Sequence, residues 1–127
     1  MKLPSDPSCI CEVETFVQQL VMRLNIDPNL YPNMLISLTE AVNNAIKHGN
    51  RFDDRKKILV TYRKKPHQIL LIISDEGSGF DPFNLPDPTS EDRIEEEGGR
   101  GVYLMKQLTD GIRFLDQGRT VQLMWRI

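Results

Sequence analysis

Ile69-Leu70-Leu71-Ile72-Ile73 is the longest uninterrupted apolar run in the chain, and it limits the architecture more than any other segment. It is far too short for a membrane-spanning helix, which needs about 20 apolar residues. Its β-branched, wholly aliphatic character suits a strand buried on both faces. The preceding run, Ile58-Leu59-Val60-Thr61-Tyr62, is of the same kind, and the residues between them, Lys64-Lys65-Pro66-His67-Gln68, are polar. Together they read as two antiparallel strands joined by a turn.

The rest of the chain must cover that pair. Apolar residues at Ile10, Val13, Phe16, Val17, Leu20, Val21 and Leu24 recur at helical spacing behind a turn-rich leader in which Ser5 and Asp6 are available as caps. Leu3-Pro4-Ser5-Asp6 leaves room for an N-terminal strand of only a few residues. A second helix is expected from Pro32 to about Lys47, with Gly49 past its end. From Phe80 to Gly98 no apolar period exists, which predicts a long loop or lid at about 80–98. Val102, Leu104, Met105 and Leu108 then give a third helix, and Ile112–Leu115 and Thr120–Trp125 form a closing hairpin. This order predicts an α+β fold, a two-layer sandwich with helices on one face of a mixed, mainly antiparallel sheet.

At 127 residues the chain has the size of one domain, taken as 1–127. Lys plus Arg number 16 against 18 Asp plus Glu, and no basic stripe runs along the sequence, which argues against nucleic acid as the main ligand. No charged segment followed by an apolar signal core opens the chain, so a cytoplasmic protein with no membrane partner is expected. Cys9 and Cys11 are too close for an unstrained disulfide and lack the second ligand pair of a zinc site, so both read as reduced thiols.

Three segments carry possible chemistry. On a helical wheel Met34, Leu35, Leu38, Ala41, Val42, Ala45 and Ile46 share one side of the second helix, while Glu40, Asn43, Asn44, Lys47 and His48 share the other. Glu40 and Asn44 stand one turn apart, so a carboxylate able to accept a proton and an amide oxygen suited to a hard cation project into the same space. Taken alone, this is also what a solvated helix face looks like. Asp75-Glu76-Gly77-Ser78-Gly79 follows the buried strand, which leaves a carboxylate at the strand end and glycines that let backbone approach a flat ligand; a plain Asp-Gly turn would read the same way. Gly98-Gly99-Arg100-Gly101 opens the third helix, where free amide groups favour phosphate. It is neither a P-loop nor a dinucleotide fingerprint.

The three segments occur in one order with the lid between the second and third, and in that order they resemble a known superfamily. Leu38-Thr39-Glu40-Ala41-Val42-Asn43-Asn44-Ala45-Ile46-Lys47-His48-Gly49 is similar to the N-box of the gyrase, heat-shock chaperone, histidine kinase and MutL ATPases. Asp75 to Phe80 resembles the first glycine box and Gly98 to Gly101 the second. Within that superfamily, the Glu40 to Gly49 run, the short lid, the Gly99 to Asp110 string and the Gly118-Arg119-Thr120-Val121-Gln122-Leu123 hairpin resemble the stand-alone anti-sigma-factor serine kinases of bacterial sporulation and stress-response switches.

The resemblance implies a Bergerat-type ATP-binding fold using ATP and Mg2+. It implies that Asn44 coordinates magnesium, that Asp75 takes the adenine amine, and that Gly77, Gly79 and Phe80 surround the base. Gly98, Gly99, Gly101 and Val102 would lie at the phosphates, with Asn43 and Thr120 also in the nucleotide set. Lys47 and His48 would contact phosphate or be solvated helix-end charge, and Arg100 would reach the terminal phosphate or face a partner. Glu40 would be the general base for transfer to a serine of an anti-anti-sigma-type protein. A module that sequesters a sigma factor or other regulator, with little phosphotransfer, is the alternative, and a homodimer is a reasonable assembly.

Overall fold

The computed structural model describes residues 1–77 and 97–127, and the backbone alone at 97–100. Gly79, Phe80 and nearly all of the lid expected at 80–98 lie outside the described residues. The element order is β1 (Lys2–Pro4), α1 (Ile10–Arg23), α2 (Tyr31–Asn44), β2 (Lys57–Lys65), β3 (Gln68–Ser74), α3 (Glu97–Leu108), β4 (Gly111–Leu115) and β5 (Thr120–Arg126). The five strands form one sheet in the order β1-β2-β3-β5-β4. Every pairing among the described residues is antiparallel, which fits the two-layer sandwich with a mainly antiparallel sheet expected from the sequence, and no described pair is parallel. β3 and β4, joined through α3, run parallel to each other, but β5 lies between them, so their crossover makes no parallel pair.

The three helices belong to one layer. Leu71, Ile73, Leu123 and Trp125 on the covered face of the sheet are buried with Val13, Val17, Met34, Leu38 and Met105 of the helices. Each such side chain contributes about 1.5–3 kcal/mol by leaving water. Truncating the fully buried Leu71 at the centre to Ala would cost about 2–5 kcal/mol. Trp125 also donates from Nε1 to the Leu108 carbonyl at 2.8 Å, which ties the end of α3 to β5 and satisfies one of that helix's unpaired terminal carbonyls.

Local chemistry sets the helix starts. Asp6 Oδ1 accepts from Ser8 N at 2.9 Å, and Asp27 Oδ1 accepts from Asn29 N at 2.9 Å. Each closes a single 3-10 turn that begins with a proline, Pro7 or Pro28, and feeds directly into α1 or α2. α2 keeps regular geometry to Asn44 and then widens into a π-helical turn, Ala45–Gly49, in which Asn50 N donates to Ala45 O at 2.7 Å. The helical path therefore passes Lys47, but in a wider form than a simple C-terminal cap. β1 is a three-residue strand, as short as the leader implied. Both cysteines are free: Cys9 is buried and its thiol is pushed up by that burial, while Cys11 is exposed. Among the described residues no helix is long and apolar enough to cross a membrane.

Candidate functional site

A pocket opens between α2 and the sheet because the helix presents small side chains there. Ala41 and Ala45 face Ile73, Met105, Phe114 and Val121, and the polar groups Asn44, Asp75 and Arg119 stand among them. Gly118 completes the wall. It is buried with φ 85°, after two further left-handed residues, Asp116 and Gln117, a backbone path that only glycine follows without strain at its last step.

At the Asp75 end, the turn after β3 is bound on several sides. Asp75 N donates to Arg119 O at 2.9 Å, Arg119 Nε donates to Gly77 O at 2.8 Å, and Gly77 N donates to Asp75 Oδ1 at 2.8 Å. Asn50 holds it from behind. This buried amide donates to Ser5 Oγ at 2.9 Å and to Lys57 O at 3.1 Å, while its Oδ1 accepts from Glu76 N at 2.8 Å. Gly49 and Gly77 pack so closely that a Cβ on Gly77 would overlap the Gly49 carbonyl, and one on Gly49 would overlap the Asp75 carboxylate. The widened end of α2 thus delivers both Gly49 and Asn50 to the turn. Burial pushes the Asp75 carboxyl above the usual carboxylate range, against the Gly77 hydrogen bond and the Arg119 charge, which pull it down. A desolvated acceptor of this kind favours a ligand that brings an N–H donor.

At the other end, α3 lies across α2. A Cβ on Gly101 would stand 3.0 Å from Glu40 Oε2 and 3.1 Å from Asn44 Nδ2, so the absent side chain lets the α3 backbone approach both. Neither Glu40 nor Asn44 makes a side-chain hydrogen bond to a described residue. α3 begins at Glu97, so Gly98, Gly99 and Gly101 occupy its first two turns. Among the described residues no group of three His, Cys, Asp or Glu side chains is placed to hold a metal.

The structure therefore brings Asn44 and Asp75 to one pocket, with Glu40 and Gly101 adjoining it. Val102 is buried beneath, as part of the core. Asn43 and Lys47 are half-buried and His48 is exposed, and none of the three lines the pocket wall. Thr120 hydrogen-bonds Ser74 through their hydroxyls at 2.9 Å. Its neighbours Arg119 and Val121 reach the pocket, and strand alternation turns Thr120 to the opposite face, so this position is not part of the wall. Sequence reasoning missed Gly118, Arg119 and Asn50. For Gly118 and Arg119 a signal existed in the turn between the last two strands.

A pocket between a helical layer and an antiparallel sheet, with Asp75 at one end and a glycine-rich helix start near the other, defines a class, and here sequence and fold agree. The chain belongs to the histidine kinase-like ATPase domain family, whose profile matches residues 3–125. Among individual proteins it is similar to the serine-protein kinase RsbW of Bacillus licheniformis, with 25% identity over an alignment spanning 97% of this chain and 81% of that protein. The serine-protein kinase RsbW of Listeria monocytogenes serotype 4a is 24% identical, spanning 95% of this chain and 82% of its own length. That of Oceanobacillus iheyensis is 23% identical over 92% and 78% respectively.

Proposed function

We propose that this chain binds magnesium-ATP in the pocket and transfers the γ-phosphate to a serine or threonine of a protein partner, of the anti-anti-sigma type, in a bacterial partner-switching pathway. The observation that carries this reading is the approach of Gly101 to Glu40 and Asn44, which sets a carboxylate beside a metal-binding amide at the edge of a pocket whose far end is the Asp75 acceptor. Similarity to the serine-protein kinases named above supports it. The proposed setting is the cytoplasm, with a homodimer as the assembly.

The residues present fit the ligand. Asp75 would accept from the adenine amine, with Ala41, Ala45 and Val121 beside the base and Gly77 at its edge. Asn44 would hold magnesium, and Gly98, Gly99 and Gly101 would give backbone access to the phosphates. Bound magnesium supplies neutralisation of charge on the phosphate oxygens. Glu40 takes the proton of the attacking hydroxyl as its oxygen bonds to the γ-phosphorus and the bond to the bridging oxygen breaks, with ADP leaving.

Incubation with labelled ATP and small partner proteins encoded nearby tests this. Transfer to serine or threonine is expected. Glu40→Ala is expected to keep nucleotide binding in a calorimetric titration and to lose transfer by roughly 10²–10⁴-fold. Stable ATP-dependent association without any transfer would replace the kinase with a sequestering module.

A further inference from the structure

Strand register assigns the side chains of the sheet to two faces, and the face turned away from the helices has an unusual charge distribution. Lys2 pairs with Leu59, and the rungs Thr61-Ile72-Gln122-Arg113, Arg63-Leu70-Met124-Gly111 and Lys65-Gln68-Arg126 share its face. Lys57, paired with Pro4, belongs to it as well. The face thus carries six cations, Lys2, Lys57, Arg63, Lys65, Arg113 and Arg126, all exposed. Its strand positions contain no Asp or Glu at all, on a chain whose formal net charge is −2. The nearest carboxylates known from hydrogen bonding are at its margins and are engaged by backbone: Glu76 Oε2 accepts from Lys57 N at 3.2 Å, and Asp110 Oδ2 accepts from Arg126 N at 2.7 Å. None of the six cations forms an ion pair with a described carboxylate.

Between the cations runs an aliphatic strip. Ile72 and Met124 at its centre are half-buried, Leu70 between them is only 6% exposed, and Leu59 and Leu115 at its end are 42% and 38% exposed. No aromatic residue lies at these positions, so the stacking that single-stranded nucleic acid uses is absent. The flat centre also offers no protruding apolar wedge for a bilayer. A second copy would meet the same positive face and be repelled. We propose that this face docks a protein partner whose contacting element is amphipathic and acidic, with aliphatic residues flanked by carboxylates. The site lies on the far side of the sheet from the nucleotide pocket, so partner and nucleotide bind together without competition. This inference does not rest on the kinase reading.

The test uses the whole chain, with backbone amide shifts followed by NMR during titration with a helical peptide in which Glu residues flank a Leu stripe. A Lys-for-Glu version of the peptide, a single-stranded oligonucleotide and phosphatidylserine vesicles serve as rival probes. Saturable shifts on β2, β3, β5 and β4, weakened in about 1 M salt where the Debye length is about 3 Å, are expected for the acidic peptide. Arg63→Glu, Arg113→Glu and Arg126→Glu together should weaken it by on the order of tenfold or more, and the corresponding Lys substitutions should retain it. Magnesium-ATP titrations should be unchanged in every variant, and if the triple reversal unfolds, Arg63→Gln alone gives the same readout at smaller amplitude. Absence of saturable shifts, shifts confined to the helices, equal loss in the Lys variant, or tighter binding of the oligonucleotide or vesicles at this face would overturn the proposal.

Discussion

The two ends of the pocket are built on different principles. Around Asp75 nearly every polar group is engaged: Asn50, Arg119 and Gly77 bind the turn, and the glycine backbones close on each other. The Glu40 and Asn44 side chains make no hydrogen bond to a described residue, and the missing side chain of Gly101 makes space beside them. On the proposed reading the Asp75 end recognises the base and gains from rigidity, because a preformed acceptor loses little entropy on binding. The Glu40 end, proposed to handle phosphate, metal and a second substrate, would need groups free to meet what arrives. The contrast predicts that damage at the first end appears as lost stability, and damage at the second as lost ligand chemistry.

The strongest way to break that contrast is Asn50→Ala. It removes the acceptor for Glu76 N and the donor to Lys57 O and Ser5 Oγ in a site that is 1% exposed. At about 1 kcal/mol per hydrogen bond, a loss of about 2–3 kcal/mol is expected. Thermal unfolding should show it as a fall in melting temperature of roughly 8–12 °C. An unchanged melting temperature would mean that the turn is not held from behind, and the proposed division between the two ends would fail.

Asp75→Asn comes next, and it separates holding the turn from holding the base. The amide oxygen can still accept from Gly77 N, so stability should stay level or rise, since burial of the charged carboxylate is unfavourable. Magnesium-ATP affinity should fall by about 10- to 100-fold, the worth of one hydrogen bond to a charged acceptor, as read by calorimetry. Gly101→Ala should act in the same sense at the other end. Its Cβ would meet only the flexible tips of Glu40 and Asn44, so stability should change by less than about 1 kcal/mol while nucleotide affinity drops by roughly several-fold.

Those two ends were also unequally legible in the sequence. Glu40 and Asn44 could be read together because four residues make one helical turn, and Asp75 because it follows an obvious strand. The layer architecture was legible for the same reason, since periodicity is local. Asn50 was not, because its partners Ser5 and Glu76 lie 45 and 26 residues away and only the folded chain assembles them. Gly118, Arg119 and Val121 reach the pocket through the pairing of β3 with β5, a long-range register that composition does not reveal. The positive sheet face escaped for a related reason: three of its cations lie on β2 and the others on β1, β4 and β5, and only strand pairing gathers them on one face.

The smallest expected effect is a pH dependence that belongs to the rigid end alone. In the unfolded chain Asp75 titrates at the ordinary carboxylate value, whereas in the fold burial raises it. Between those two values the folded protein binds more protons than the unfolded one. Linkage then makes Asp75's contribution to stability fully present below the ordinary value and lost as pH rises through the raised one. The stability of the nucleotide-free protein, measured relative to Asp75→Asn, should therefore decline with pH across that window and level off above it. The Gly77 hydrogen bond and the Arg119 charge oppose the shift. Nucleotide affinity should move the other way, rising over the same window as the carboxylate ionises and becomes a stronger acceptor, and this rise should vanish in Asp75→Asn. Opposed slopes in the free protein and in ligand binding, both abolished by one substitution, would show that the rigid end gives up stability to keep a charged acceptor in place. Parallel slopes would place the titrating group elsewhere.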